Sequence, residues 1–195
     1  LINSLLKNLI KNKNSINKRE IEKQSIPIWF SKALGKLKIN INSFFENICQ
    51  EPSLHIVFKN KKYFKNFKED HFKTTDISAF IKTRKQIPNI ANFHEGHWWV
   101  QDFASMLPIY LCPELKFKNI LDMCSAPGGK AFQLISLTNT VNLNDISLKR
   151  IKILKDNLNR LNFKCKITNY NALNILENIK FDVVILDSPC SGVGT

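Results

Sequence analysis

The sequence predicts an α/β fold built on a parallel, doubly wound sheet, and two observations in its second half carry that reading. Short apolar runs alternate with amphipathic stretches from residue 119 onward, a pattern that sets strands side by side with helices as crossovers. Two of those runs end in turns rich in proline, cysteine and glycine, "LDMCSAPGGK" (121–130) and "VVILDSPCSG" (183–192). In such a sheet ligands bind beyond the carboxyl ends of the strands, so the two turns are the first candidates for a site.

The elements follow in order. "NILDM" (119–123) reads as a buried strand, and 129–138 as a helix that begins at the glycines. "TVNLN" (140–144) is a second strand ending at Asp145, followed by an amphipathic helix over 147–161 with Ser147 as its N-cap. "CKITN" (165–169) and "FDVVILD" (181–187) are the third and fourth strands. Upstream, "HWWVQDFASMLPIYL" suggests a short extended piece and then a helix ending near Cys112 and Pro113. "SLHIVFKN" (53–60) alternates like a half-buried strand. Residues 61–95 are basic and weakly patterned, with Tyr63, Phe64, Phe67 and Phe72 among lysines. Such aromatics can stack bases, but the reading adopted is the core of a small domain with a solvated lysine face. Residues 1–48 read as helical, from Leu5, Leu6, Leu9 and Ile10 and from "IPIWFSKALGKL" with Pro27 near its start.

Composition narrows the classes. At 195 residues with 44% hydrophobic content, the chain can bury one sizeable core. No apolar run reaches a membrane span, and the basic start lacks a cleavage site, so neither an anchor nor a secretory leader is expected. Leu1 stands where methionine would, which leaves room for a natural start upstream. Cys49, Cys112, Cys124, Cys165 and Cys190 are odd in number and form no CxxC pair, the pattern of reduced cytoplasmic thiols without a disulfide framework or zinc site. His55, His71, His94 and His97 have no ligand spacing. The net charge is +13, with 18 Lys/Arg against 8 Asp/Glu in residues 1–100 and 11 against 8 afterwards. A polyanion contacting the first half would explain that asymmetry. So would an AT-rich coding bias, since arginine occurs only at 19, 84, 150 and 160.

In the first turn, Gly128 and Gly129 allow close backbone approach to a ligand, and the helix that follows offers free N–H groups. Asp145, about twenty residues on, stands where a carboxylate can take both hydroxyls of a ribose. Neither the G-x-G-x-x-G of a dinucleotide site nor a phosphate-binding GxxxxGK[ST] occurs. In "DSPCSG" a proline turn places Cys190 among small polar neighbours, unlike Cys112 and Cys165, which sit in apolar periodicity. A thiolate adding to a pyrimidine at C6 makes C5 nucleophilic toward an electrophilic methyl group, and Asp187 is the carboxylate beside it.

Together "LDMCSAPGGK", "FDVVILDSPCSGVGT" and "EGHWWVQDFAS" resemble the bacterial Sun-type (RsmB-like) RNA cytosine-C5 methyltransferases. The resemblance continues upstream through "INSLLKNL", "PIWFSKAL" and "EPSLHIVFKNKK". It implies a Rossmann-like class I methyltransferase sheet over 101–195, a small α+β RNA-binding region over 49–100, and the tail of a helical domain over 1–48. It implies S-adenosyl-L-methionine as cofactor, wrapped by Cys124, Ser125, Ala126, Pro127, Gly128, Gly129 and Lys130. Asp145 would hold its ribose, Asn171 (aspartate in the family) would sit near its adenine, and Asp187 would face cofactor and cytosine. The family's nucleophile lies in a later Thr-Cys motif, beyond Thr195, while its Pro-Cys cysteine, here Cys190, assists product release. The resemblance thus implies an interior fragment of a longer protein, lacking the later strands and inactive alone. It further implies small-subunit (16S-type) ribosomal RNA as partner, no metal, and a monomer when complete. The alternative is a non-catalytic RNA-binding module on the same fold. An amino-methyltransferase fits less well, because "DSPC" stands where those enzymes carry (N/D)PP(Y/F). Trp98 and Trp99 are read as closing the junction between domains.

Overall fold

The computed structural model describes residues 27–48, 50, 52–83, 85–138, 140–174 and 180–190. The helical reading of 1–26 and the last five residues lie outside these. The chain divides into two units, 1–51 with 194–195, and 52–193.

In the first unit, α1 (Ile28–Lys36) and α2 (Ile41–Ile48) form a helical pair. Pro27 caps α1, where its missing N–H costs nothing. The Asn40 side chain accepts from the N–H groups of Asn42 (2.9 Å) and Ser43 (3.2 Å) to start α2. The rings of Phe30 and Phe44 meet edge to face at 5.5 Å.

The second unit holds two four-stranded sheets. The first runs β1 (His55–Phe58), α3 (Lys61–Lys65), β2 (His71–Lys73), β3 (Ser78–Ile81) and β4 (Trp98–Val100). It is antiparallel in the order β2-β3-β1-β4. Asn60 caps α3 through bonds from Lys62 and Tyr63 N–H. The segment expected to be weakly patterned therefore folds as α3, β2 and β3, elements too short for a period to show. Phe64 and Phe67 join its core, as read from the sequence, whereas Phe72 stays exposed. The second sheet comprises β5 (Ile120–Asp122), β6 (Val141–Asn144), β7 (Lys166–Thr168) and β8 (Val183–Ile185), with α4 (Phe103–Tyr110), α5 (Gly129–Leu137) and α6 (Leu148–Arg160) around it. All its pairings are parallel, in the order β7-β6-β5-β8. This is the incomplete Rossmann-like class I arrangement, with the order reversing beside β5.

β1 departs from the expected half-buried strand, because all four of its residues are buried. Ile56 and Phe58 pack with Phe64, Phe67, Ala79, Ile81 and Trp98 in the small sheet's own core. Val57, across from Trp99, belongs instead to the core beneath the parallel sheet, with Met106, Ile109, Phe132 and Leu134. One strand thus feeds two cores, and Trp98 and Trp99 divide between the same two.

The seam is completed by Arg160 at the end of α6. Its guanidinium donates to the carbonyls of Phe93 (2.8 Å) and Trp98 (3.1 Å) and lies 4.1 Å from the centroid of the Phe93 ring. Gly96 fits beneath it at φ +65°, and a Cβ there would overlap the Arg160 carbonyl. Replacing Gly96 with alanine combines left-handed strain with a backbone clash. We expect Gly96→Ala to lower the unfolding free energy by about 2–4 kcal/mol, measured by urea denaturation.

Candidate active site

The cleft opens at the carboxyl ends of β5 and β8, where strand order reverses. Its volume is about 220 Å³, and its walls include Gln101, Asp102, Ser105, Asp122, Cys124–Lys130 and Asp187. Both sequence motifs therefore meet in it.

The first motif is held rigidly. Ser125 bonds the Asn144 carbonyl through its N–H (3.0 Å) and hydroxyl (2.9 Å), and Ala126 N–H donates to Asp145 at 3.2 Å. Gly128 takes φ +125°, and a Cβ on it would run into the Phe132 ring. A glycine is needed there for conformation and for helix packing. Gly129 has ordinary room toward Gln101. The first turn of α5 then presents N–H groups that the helix itself cannot use. Lys130 spans the cleft to Asp187, 2.7 Å away, and donates also to Ser105 at 2.8 Å. Ser105 lies in the first turn of α4, whose N-cap Asp102 accepts its N–H.

Asp145 and Asn171 follow the ends of β6 and β7, as read from the sequence, but neither lines this cleft. Asp145 is fully buried and is not part of the cleft wall. Its carboxylate accepts from Ser147 N–H (2.9 Å) and from Arg150 in a fork, Nε to Oδ1 at 3.3 Å and Nη2 to Oδ2 at 2.7 Å, besides Ala126. The cause is Arg150, in the first turn of α6, which reaches back over the strand end. An arginine so near a helix N-terminus opposes the helix dipole, and that oddity is the sequence signal for a carboxylate partner. Removing one half of so buried a pair costs about 3–5 kcal/mol. Asn171 is exposed, and its side-chain oxygen accepts from Leu173 N–H. Cys190 is exposed near the far turn, after Asp187. Burial pushes the Cys124 thiol upward, with the Asp145 charge adding to it, so Cys124 is a poor nucleophile. Cys165 is pushed to about 11 by burial and packs against the core with Cys112, as expected of structural thiols.

Sequence reasoning missed Asp122. It ends β5 with 1% exposure and lines the cleft, and its Oδ2 has no hydrogen-bond partner. Burial raises its pKa to about 7, against a backbone hydrogen bond from Cys124. The nearby Asp187 and Asp145 charges raise it further, and Lys130 lowers it. The signal in the sequence was a carboxylate closing an otherwise apolar strand. An orphaned buried carboxylate beside a lysine and a helix N-terminus suits a ligand with a cationic and an anionic end. Among the described residues no group of three or more His, Cys, Asp or Glu is placed to hold a metal, and no helix is long and apolar enough to cross a membrane.

Comparison with known proteins accords with this geometry. Residues 109–195 match the family model for 16S rRNA methyltransferase RsmB/F. Over those residues, somewhat under half of its length, the chain is similar to the RsmB/F methyltransferases. Ribosomal RNA small subunit methyltransferase B of Shewanella oneidensis is 33% identical over 125 residues, which are 62% of this chain and 29% of that relative. The human 28S rRNA (cytosine(4447)-C(5))-methyltransferase is 38% identical over 104 residues, 51% of this chain and 13% of that relative. The chain thus spans under a third of either curated relative. A methyltransferase homolog from Pyrococcus horikoshii shares the fold, with a TM-score of 0.64 at 20% identity over 86% of this chain and 65% of that one.

The raised Asp122 pKa fixes a sign. A carboxyl protonated more readily in the folded than the unfolded state contributes stability that is whole below about pH 4 and is lost as pH rises through about 7. Between pH 5 and 8.5, wild-type unfolding free energy should fall by about 1–3 kcal/mol more than that of Asp122→Asn. Paired denaturation curves across that range measure it, and parallel curves would remove the orphaned carboxylate.

Proposed function

We propose that this protein takes part in S-adenosylmethionine-dependent methylation of cytosine C5 in RNA, with small-subunit ribosomal RNA as substrate. The single observation that carries this reading is the Lys130–Asp187 contact at 2.7 Å, which joins the Gly-Gly turn to the Pro-Cys turn in one cleft. The family-model match over 109–195 and the relatives' names support it.

The residues present suit the cofactor. Asp122 and the α5 N-terminus match the ammonium and carboxylate of its methionine end. Asp145 is the carboxylate assigned to the ribose hydroxyls, and Arg150 would have to turn aside to open it. Asn171, its oxygen already engaged by Leu173, retains an N–H2 to donate to a ring nitrogen of adenine. When bound, the cofactor supplies an electrophilic methyl group. Lys130 holds Asp187 toward the space before the turn, where that carboxylate orients the cytosine. Cys190 follows on the same turn and is assigned to release of the methylated product, as in the family. No metal takes part in this scheme. The basic 1–100 half supplies phosphate contacts, and a cytoplasmic monomer fits ribosomal RNA as partner.

Calorimetric titration with S-adenosylmethionine in metal-free buffer tests the cofactor. Wild type should bind, and Asp145→Asn and the better-tolerated Asp187→Asn should each weaken binding by about 1–3 kcal/mol. Absence of wild-type binding would remove the assignment. For the substrate, bisulfite sequencing of small-subunit ribosomal RNA should show a cytosine that resists deamination in cells carrying the gene and loses that resistance when it is deleted. An unchanged pattern counts against this RNA.

A further inference from the structure

The small sheet has one face whose chemistry nothing above uses. Phe72 on the edge strand β2 pairs with Phe80 on β3, and Phe80 pairs with His55 on β1. Directly opposed residues share a face, so the three form one row across the sheet. Its inner end is closed: the His55 ring packs on Phe80 at 4.8 Å and on Phe103 at 5.3 Å. His55 Nδ1–H donates to the Gln101 carbonyl at 2.7 Å, which brings the row to the cleft wall that Gln101 and Asp102 form. Its outer end is open. Phe72 is 65% exposed, the most exposed phenylalanine described.

An apolar ring exposed at that place is free to take an occupant. Charge selects among occupants: residues 52–100 carry nine Lys/Arg against four Asp/Glu. Lys82, two residues beyond Phe80 and so on the same face, is exposed, and Lys73, next to Phe72 in the strand, is exposed on the other face. The ion pairs engage Lys61, Lys85, Lys130 and Arg150, so neither lysine has a carboxylate partner among the described residues. A flat ring with an unneutralised lysine on its own face, in a region of net positive charge, suits a base with its phosphate, because stacking tolerates any base while lysine holds the backbone. We propose that Phe72 is a stacking platform for a nucleobase of single-stranded RNA, and that the row Phe72–Phe80 leads the strand toward the cleft mouth at Gln101 and Asp102. The proposal rests on the RNA reading above and adds a position on the substrate's path.

Fluorescence anisotropy of the full chain with a labelled 12-nucleotide RNA of mixed sequence tests it. Phe72→Ala and Phe72→Leu should each weaken binding about 5- to 30-fold, while Phe72→Tyr stays within about twofold of wild type because the π-face remains. The salt dependence should keep its slope, since no charge is removed. Leucine equal to wild type would reduce the site to apolar contact and overturn the platform. So would all three variants binding equally, with the RNA reading intact because wild type still binds. No wild-type binding would instead remove the RNA reading itself. Gel filtration covers the remaining occupant: a wild-type dimer that Phe72→Ala converts to monomer would assign β2 to pairing with a second copy.

Discussion

Trp98 and Trp99 point to opposite faces of one short strand, and the body spanning residues 52–193 depends on that divergence. Both are essentially inaccessible to water, and each ring finds a polar partner for its N–H: Ala91 carbonyl for Trp98 and Gln101 for Trp99. From Gln101 a buried amide relay runs to Gln133 and on to the Met106 carbonyl, so strand, α4 and α5 are tied through one chain of satisfied bonds. Buried polar chains of this kind define a unique packing when complete, and are costly when any member is lost. The arrangement explains why a sheet of three- and four-residue strands is stable beside the parallel one. Its second face is covered by the other sheet's core.

The same rigidity reaches the cleft. The Gly-Gly turn is fixed by Asn144, Asp145 and Phe132 before any ligand arrives, which lowers the ordering cost of binding. Two carboxylates, Asp122 and Asp187, face one lysine in a partly dry space. Asp187, the more exposed of the two, takes the lysine at 2.7 Å, and the buried Asp122 is left to hold a proton or a cation. The electrostatics of the site are therefore asymmetric by depth.

Much of the parallel half was legible from sequence, because each strand there is bounded by a turn and followed by a helix of clear period. Observed ends lie within two residues of those read for β5 through β8. The antiparallel half was less legible. β2 and β3 hold three and four residues, too few for alternation, and β1 loses its polar face to a second core. At the site, the two turns could be found from residue types alone. The engagement of Asp145 by Arg150 could not be, since it depends on where a long side chain folds back across a strand end. Nor could the orphaned oxygen of Asp122, which exists only once the strand is buried.

Of the four arginines in a chain with 29 basic residues, the two described ones hold planar contacts. Arg150 forks onto a carboxylate, and Arg160 bridges two carbonyls while lying on a phenyl ring. A lysine ammonium has the charge but neither the fork nor the flat face. In a gene whose basic residues are almost all lysine, AGA-to-AAA is a one-base step in the direction its composition already leans. At these two positions that drift has a mechanical stop: the exchange would open the seam between the sheets at one, and unpair a carboxylate sealed from water at the other.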